Sequence, residues 1–322
     1  MRPLARYLGA VLALILFCAC AAAQTYPTRP VRLLLPYAPG GGTDFFARTV
    51  SQRMAELLGQ PVIVDNRPGA SSIIAAEALT NAQPDGYTVM IGGDETFALN
   101  PALFKKLPYD PQKSFVPITL TGRYLLTLAV NPAVPAQKLD ELLQLSRAGT
   151  VSSYASPGTG TPHHLAMELL KQRAGVQLVA VPYKGTGPAM LDVMSGQIGV
   201  MFADLAAVTP HMKSGKLKVI AVASAGRSAL LPSVPTIAES GFPGFEAWAW
   251  QGLIAPQGTP AAIVDRLRDA YMKATADPTI RSRLVEAGIE PLSSTPQEMA
   301  DYMLQERGKW AKVVREANII PQ

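Results

Sequence analysis

The apolar positions of this chain repeat one pattern: a short buried run, a glycine-containing loop, then apolar residues at helical spacing. Residues 31–35 are an apolar run broken only by Arg32 and predict a buried strand. In residues 45–58 the apolar positions Phe46, Val50, Met54, Leu57 and Leu58 lie on one helical face, and Gly59 is a natural stop. Residues 61–64 predict a second strand, 73–79 a second helix, and 87–91 a third strand. The pattern restarts after a long β-rich stretch, residues 115–130, broken at Thr121-Gly122-Arg123. Strands are expected at 152–155, 176–181, 198–202 and 218–223, with helices beginning after Thr161-Pro162 and near Pro188. Residues 245–254 are β-like again and read as a return crossing. Helices then follow Thr259-Pro260 and the capping box Thr295-Pro296-Gln297-Glu298.

Repeated strand–loop–helix units predict parallel sheets with helices on both faces, and such sheets bind ligands at the carboxyl ends of their strands. The fold class expected is α/β. It has two lobes, 24–123 with 247–322 and 124–246, each a mostly parallel sheet flanked by helices. The organising stretch is Pro36-Tyr37-Ala38-Pro39-Gly40-Gly41-Gly42-Thr43-Asp44, between the first strand and the first helix. Glycine lets the backbone approach a ligand closely, and the first amides of a helix lack internal partners and carry partial positive charge. Such a loop is a ready anion site. The plainer reading is a turn in which Thr43 or Asp44 caps the helix. The second lobe builds the same device at Ser156-Pro157-Gly158-Thr159-Gly160-Thr161. Two opposed loops of this kind make a cleft suited to a ligand with carboxylates. The donors would be the amides of Gly40, Gly41, Thr43, Asp44, Gly158, Thr159 and Thr161, helped by the hydroxyls of Thr43, Ser156, Thr159 and Thr161.

Charge and composition narrow the class. The 322 residues carry a formal charge of +5, which falls to +3 without Arg2 and Arg6. There is no basic helix and no aromatic-interleaved basic stripe, which argues against nucleic acid. Arg2, Arg6, the apolar residues 8–20 and Ala21-Ala22-Ala23 read as a secretory signal, residues 1–23, cleaved after Ala23. A lipoprotein cut before Cys20 is the alternative, ill served by Phe17 and Cys18. Both cysteines, Cys18 and Cys20, lie in this leader, so the exported protein is expected to be soluble and free of disulfide and thiol chemistry.

Catalytic signatures are missing. There is no G-x-S-x-G elbow, no G-x-x-x-x-G-K-S/T loop and no G-x-G-x-x-G spacing. His163-His164 with Asp204 can be drawn as a catalytic pair, but a first-turn histidine is more often structural or a ligand contact. Three histidines make a poor metal set. No metal, no cofactor and no enzyme activity are expected. Asp94-Glu95 at a strand end is the oddest feature. It is either solvated loop charge or a pair of which one acid meets an amine or hydroxyl on the ligand.

Six motifs stand in order: Pro39-Gly40-Gly41-Gly42-Thr43-Asp44, Asp65-Asn66-Arg67-Pro68-Gly69-Ala70, Pro84-Asp85-Gly86-Tyr87, Leu107-Pro108-Tyr109-Asp110-Pro111, Val181-Pro182-Tyr183-Lys184-Gly185 and Val234-Pro235-Thr236-Ile237-Ala238-Glu239. Together they resemble the substrate-binding proteins of tripartite tricarboxylate transporters, the Bug receptors. The resemblance implies a periplasmic, two-lobed, type II "Venus flytrap". It would take a di- or tricarboxylate, an aromatic carboxylate or an acidic amino acid and deliver it to a separate membrane permease, or act in sensing. A monomer is expected. The loops holding the carboxylate would be residues 37–44 and 156–161. Specificity would come from Tyr37, Ser71, Ser72, Asp94, Thr96, His164, Lys184 and Asp204, with Ala38 in the same first loop. Three places depart from the family pattern: Ser71-Ser72 stand where glycines are usual, Asp94-Glu95 where small hydroxyl residues or histidine are usual, and Ala203-Asp204 where Asp-Asn is usual. A periplasmic enzyme using His164 is the reading outside binding.

Overall fold

The computed structural model describes residues 26–39, 41–183 and 185–316. The leader and its cleavage point, Gly40 and Lys184 lie outside the described residues. The first half begins with β1 (Val31–Leu35), α1 (Gly42–Leu58), β2 (Val62–Asn66), α2 (Ile73–Thr80) and β3 (Thr88–Gly93), then α3 (Asn100–Leu103). β4 (Phe115–Val130) leads into the second half: α4 (Leu139–Arg147), β5 (Ser153–Ser156), α5 (Pro162–Ala174), β6 (Val179–Pro182), α6 (Thr186–Ser195), β7 (Val200–Asp204), α7 (Leu205–Lys213) and β8 (Lys218–Val222). β9 (Trp248–Pro256) returns, followed by α8 (Ala261–Ala276), α9 (Pro278–Glu286), β10 (Ile289–Pro291) and α10 (Pro296–Glu316).

The strands form one hydrogen-bonded path, β2–β1–β3–β9–β4–β7–β5–β6, with β8 and β10 also pairing β4. Between named strands, parallel pairing is found in β2–β1–β3 of the first half and β6–β5–β7 of the second, with one isolated parallel bridge from Val222 to Thr236. Every pairing of β4 and β9 is antiparallel. The sheets are therefore mixed, because the two strands that link the halves run against their neighbours. β4 is continuous where the sequence reads as interrupted at residues 121–123: register shifts at Pro117/Thr119 and Leu120/Gly122 absorb the irregularity. Its partner changes from β9 to β7 between Leu125 and Leu126.

Each half is sandwiched by helices. In the first, Phe46, Val50 and Met54 of α1 and Leu267 and Tyr271 of α8 cover one face. Leu79 of α2, Phe97, Trp250, Met299 and Met303 cover the other. In the second, Leu142, Leu165, Met167 and Leu170 pack with Tyr154 and Phe202, while Met190, Val193 and Val208 cover the opposite face. The capping box forms as expected: Glu298 N donates to Thr295 Oγ1 (3.1 Å) and Thr295 N to Glu298 Oε2 (2.8 Å). Two segments belong to both halves. α10 buries Met299 and Met303 in the first core but Trp310, Val313 and Val314 in the second. Ala98, Leu99 and Leu103, which follow β3, also join the second core. Among the described residues no helix is long and apolar enough to cross a membrane.

Candidate functional site

The first wall is the open end of α1. Gly41 occupies its N-cap position and has no side chain with which to cap it. The first helical bond runs from Phe45 N to Gly41 O (3.0 Å), so the amides of Gly42 and Thr43 precede it and face outward from the helix end. Asp44 is buried and structural: Arg48 Nε donates to its Oδ2 (2.9 Å) and Asn66 Nδ2 to its Oδ1 (3.0 Å). The same Asn66 nitrogen donates to Tyr37 O (2.9 Å), tying the loop to the end of β2.

Beneath that helix end lies a group of buried polar atoms without partners. Tyr124 packs under Gly42, where a Cβ would meet its ring at 3.3 Å. Its hydroxyl is buried and forms no hydrogen bond; nor does either end of the buried Gln251 amide. Burial, first, and to a lesser extent Asp204 raise the Tyr124 pKa well above the usual value, against the nearby Thr43 and Gln251 side chains, which lower it. An unmade buried hydrogen bond costs about 1–3 kcal/mol. Three such atoms beside two open helix amides form a surface that lacks a polar partner.

Asp94 and Glu95, adjacent in the chain, have separate fates. Residues Glu95–Leu99 form one π-helical turn, an arrangement frequent at functional sites. Asp94 points into the first half, where Oδ2 accepts Trp250 N (2.8 Å) and Oδ1 has no partner. Burial, then Glu306 and Glu95, push its carboxyl well above the usual range. Glu95 turns toward the seam. Tyr37 donates to its Oε2 (2.7 Å), and the field at its carboxylate includes His163 and Asp204 of the other half. Gly93 makes that approach possible: a Cβ there would lie 2.6 Å from Trp250 O and 3.7 Å from Glu95 Oε2. Thr96 is fully buried in the turn, its hydroxyl unpartnered.

The second wall is more self-contained. Gly158 N donates to Ser156 Oγ (3.3 Å), Gly160 N to His164 Nδ1 (3.0 Å) and Thr161 N to Gly158 O (3.3 Å). The Ser156 and Thr161 hydroxyls both donate to Gly158 O at 2.9 Å, and Thr161 Oγ1 also caps α5 by accepting His164 N. Thr159 alone in this loop is exposed with neither its amide nor its hydroxyl engaged. His164 differs from the expectation that it lines the cleft. Adjacent residues on a helix point about 100° apart. His163 faces Asp204 (Nε2 to Oδ1, 3.1 Å), so His164 is turned inward, stacked on Tyr154 with ring centroids 6.2 Å apart. Burial lowers the His164 pKa, whereas at His163 the Asp204 carboxylate outweighs burial and raises it.

Ser71 and Ser72 sit on a left-handed turn: φ is 45° at Ala70, 50° at Ser71 and 71° at Ser72. Only glycine adopts this region without cost, and three successive non-glycine residues store strain. Asn100 Nδ2 holds the turn by donating to Ser71 O (2.7 Å), and also donates to Tyr109 OH (3.1 Å); the Tyr109 hydroxyl in turn donates to Thr96 O (3.0 Å). The structure thus gathers Tyr37, Gly41, Thr43 and Asp204 around Tyr124, Gln251, Glu95 and His163. It turns Asp44 toward Arg48 and Asn66, Asp94 toward Trp250 and His164 against Tyr154. Sequence reading passed over Tyr124 and Gln251 because each stands inside an ordinary strand. Only a polar residue amid the buried run 248–256 hinted at Gln251. Among the described residues no group of His, Cys, Asp and Glu could hold a metal ion.

The comparisons agree with this architecture. A family model described as tripartite tricarboxylate transporter family receptor matches residues 46–319. Protein BugT of Bordetella pertussis is 34% identical over 319 residues, covering 98% of each chain. The structure titled R. palustris Rpa4515 with adipate superposes with a TM-score of 0.87 at 34% identity, covering 92% of this chain and 100% of that one. MatC from Rhodopseudomonas palustris with bound malate gives 0.82 at 34% identity, covering 90% and 100%. This chain belongs to the tripartite tricarboxylate transporter receptor family.

Proposed function

We propose that this protein is a periplasmic receptor that captures a small organic carboxylate between its two halves and delivers it to the membrane permease of a tripartite transporter. One observation carries the reading. The open amides of Gly42 and Thr43 converge with the unpartnered Tyr124 hydroxyl and Gln251 amide at the seam of the halves. Donors so placed offset the cost of dehydrating a carboxylate, which alone would be prohibitive. Thr159 on the opposite wall supplies an amide and a hydroxyl when the halves close. Relatives solved with adipate and malate support the ligand class. Binding without chemistry is the better account of His163 and Asp204, since their pairing serves the wall and no G-x-S-x-G nucleophile accompanies it.

The test is calorimetry on protein freed of co-purified ligand by unfolding and refolding, against a panel of aliphatic and aromatic carboxylates. One-to-one heat with the ligand recovered unchanged is the expected result. Turnover of the ligand, or no heat from any carboxylate, contradicts the proposal.

A further inference from the structure

The charges around Glu95 do not cancel. Glu95 is buried, and burial raises its carboxyl pKa against the Tyr37 hydrogen bond and the nearby His163, which favour the carboxylate; Asp94 from its own half and Asp204 from the other add like charge. His163 and Asp204 form their own pair. Asp94, whose carboxyl burial pushes toward the neutral form, adds no positive charge. Among the described residues no lysine or arginine makes an ion pair with Glu95 or Asp204. A second carboxylate pressed against this end would meet a like charge in a poorly solvated place. The acids are not the only sign of a ligand here. Tyr124 is 4% exposed, and its hydroxyl, buried and without a partner, lies within the field of Asp204. His163 Nδ1 is likewise buried and unpartnered.

We infer that Glu95 selects a ligand bearing a cationic amine at the end opposite its carboxylate, an amino carboxylate rather than a dicarboxylate. The inference rests on the carboxylate site proposed above and adds the chemistry of the ligand's far end. The α1 amides, Tyr124 and Gln251 take the carboxylate. Glu95, anchored by the Tyr37 hydroxyl, takes the ammonium group, with Asp204 contributing charge from across the seam. Glu95 is then the specificity-determining residue, and Tyr37 is its positioning residue.

The experiment compares pairs that differ only at the far end: β-alanine with succinate, 4-aminobutyrate with glutarate, and 5-aminopentanoate with adipate. Each is measured by calorimetry on the wild type and on Glu95→Gln. The amino member is expected to bind at least tenfold tighter in the pair whose length fits. Glu95→Gln is expected to bring that ratio to about threefold or less. The amide oxygen still accepts from Tyr37 and the substitution removes a buried charge, so Glu95→Gln should melt no lower than the wild type. Tyr37→Phe, which leaves the carboxylate but frees it to move, should weaken amine binding several-fold without reversing the preference. Tighter binding of the dicarboxylate in every pair overturns the inference and leaves the carboxylate proposal standing, as does a preference for the amine that Glu95→Gln does not change. Dicarboxylate affinity that rises steeply on acidification, with the amino members indifferent to pH, overturns it too, since Glu95 would then act as a protonated donor. Silence from all six compounds contradicts both this inference and the carboxylate proposal.

Discussion

Asp94 and Glu95 show how far two identical charges can be separated in role by one residue of chain. Asp94 is enclosed with Glu306 and accepts a backbone hydrogen bond from Trp250; burial raises its pKa well above the ordinary value. A carboxyl whose folded pKa is raised binds more protons in the native state, so stability falls as pH rises from about 4 toward that raised value. Asp94→Asn removes this penalty and can keep the bond from Trp250 N through its amide oxygen. Its melting point is expected to exceed that of the wild type at pH 8 and to converge with it near pH 4. A constant offset at all pH values in thermal scans would show that Asp94 is not the titrating group. Ser71 and Ser72 carry the other residue-scale consequence. Left-handed backbone costs a non-glycine residue roughly 1–2 kcal/mol. Ser71→Gly and Ser72→Gly are each expected to stabilise the protein by about 1 kcal/mol in denaturant titrations. Loss of stability would mean that the hydroxyls contribute more than the strain removes.

Among the elements, the loop before α5 and the segment after β3 are fitted to each other. A Cβ on Gly160 would lie 2.2 Å from Leu103 Cδ1, and Gly160 has a φ of 77°. Gly160→Ala is expected to cost about 1–3 kcal/mol through overpacking and backbone strain together. Adding Leu103→Ala relieves the clash, so the double mutant should be less unstable than the sum of its parts; additive effects in a double-mutant cycle would refute the fit. α10 joins the halves differently, through Trp310, whose indole donates to Glu306 Oε2 (2.8 Å) within the second core. Trp310→Ala is expected to cost about 3–5 kcal/mol, measured by chemical unfolding. Elements with strong periodicity or caps were legible in the sequence: β1, α1, and the capping box at Thr295. The π-helical turn at Glu95 was not, because nothing in Glu95–Leu99 distinguishes i→i+5 hydrogen bonding from a strand-end loop. Nor was the helix α4, which the sequence reading left unassigned although its apolar face buries Leu139, Leu142 and Leu143. The glycine loops were legible as loops. Which of their amides stay open was not, since Gly158, Gly160 and Thr161 engage partners set by tertiary geometry.

At the scale of the molecule, two strands carry the chain between halves, and the polar seam lies beside their crossing. β4 changes partner at Leu125/Leu126, one residue from Tyr124, and β9 places Gln251 three residues beyond its own crossing at Trp248. Rotation of the halves about these strands would move Asp204 and Thr159 relative to Tyr124, Gln251 and the start of α1, which is how closure would sense a ligand. A ligand binding only the folded form at a hundredfold excess over its Kd adds about 2.7 kcal/mol of stability. The most direct test of the central claim is a crystal structure of the protein with a captured carboxylate. The account predicts carboxylate oxygens within hydrogen-bonding distance of the Gly42 or Thr43 amide and of the Tyr124 hydroxyl or Gln251 amide. A carboxylate bound elsewhere, with those four groups untouched, would contradict it.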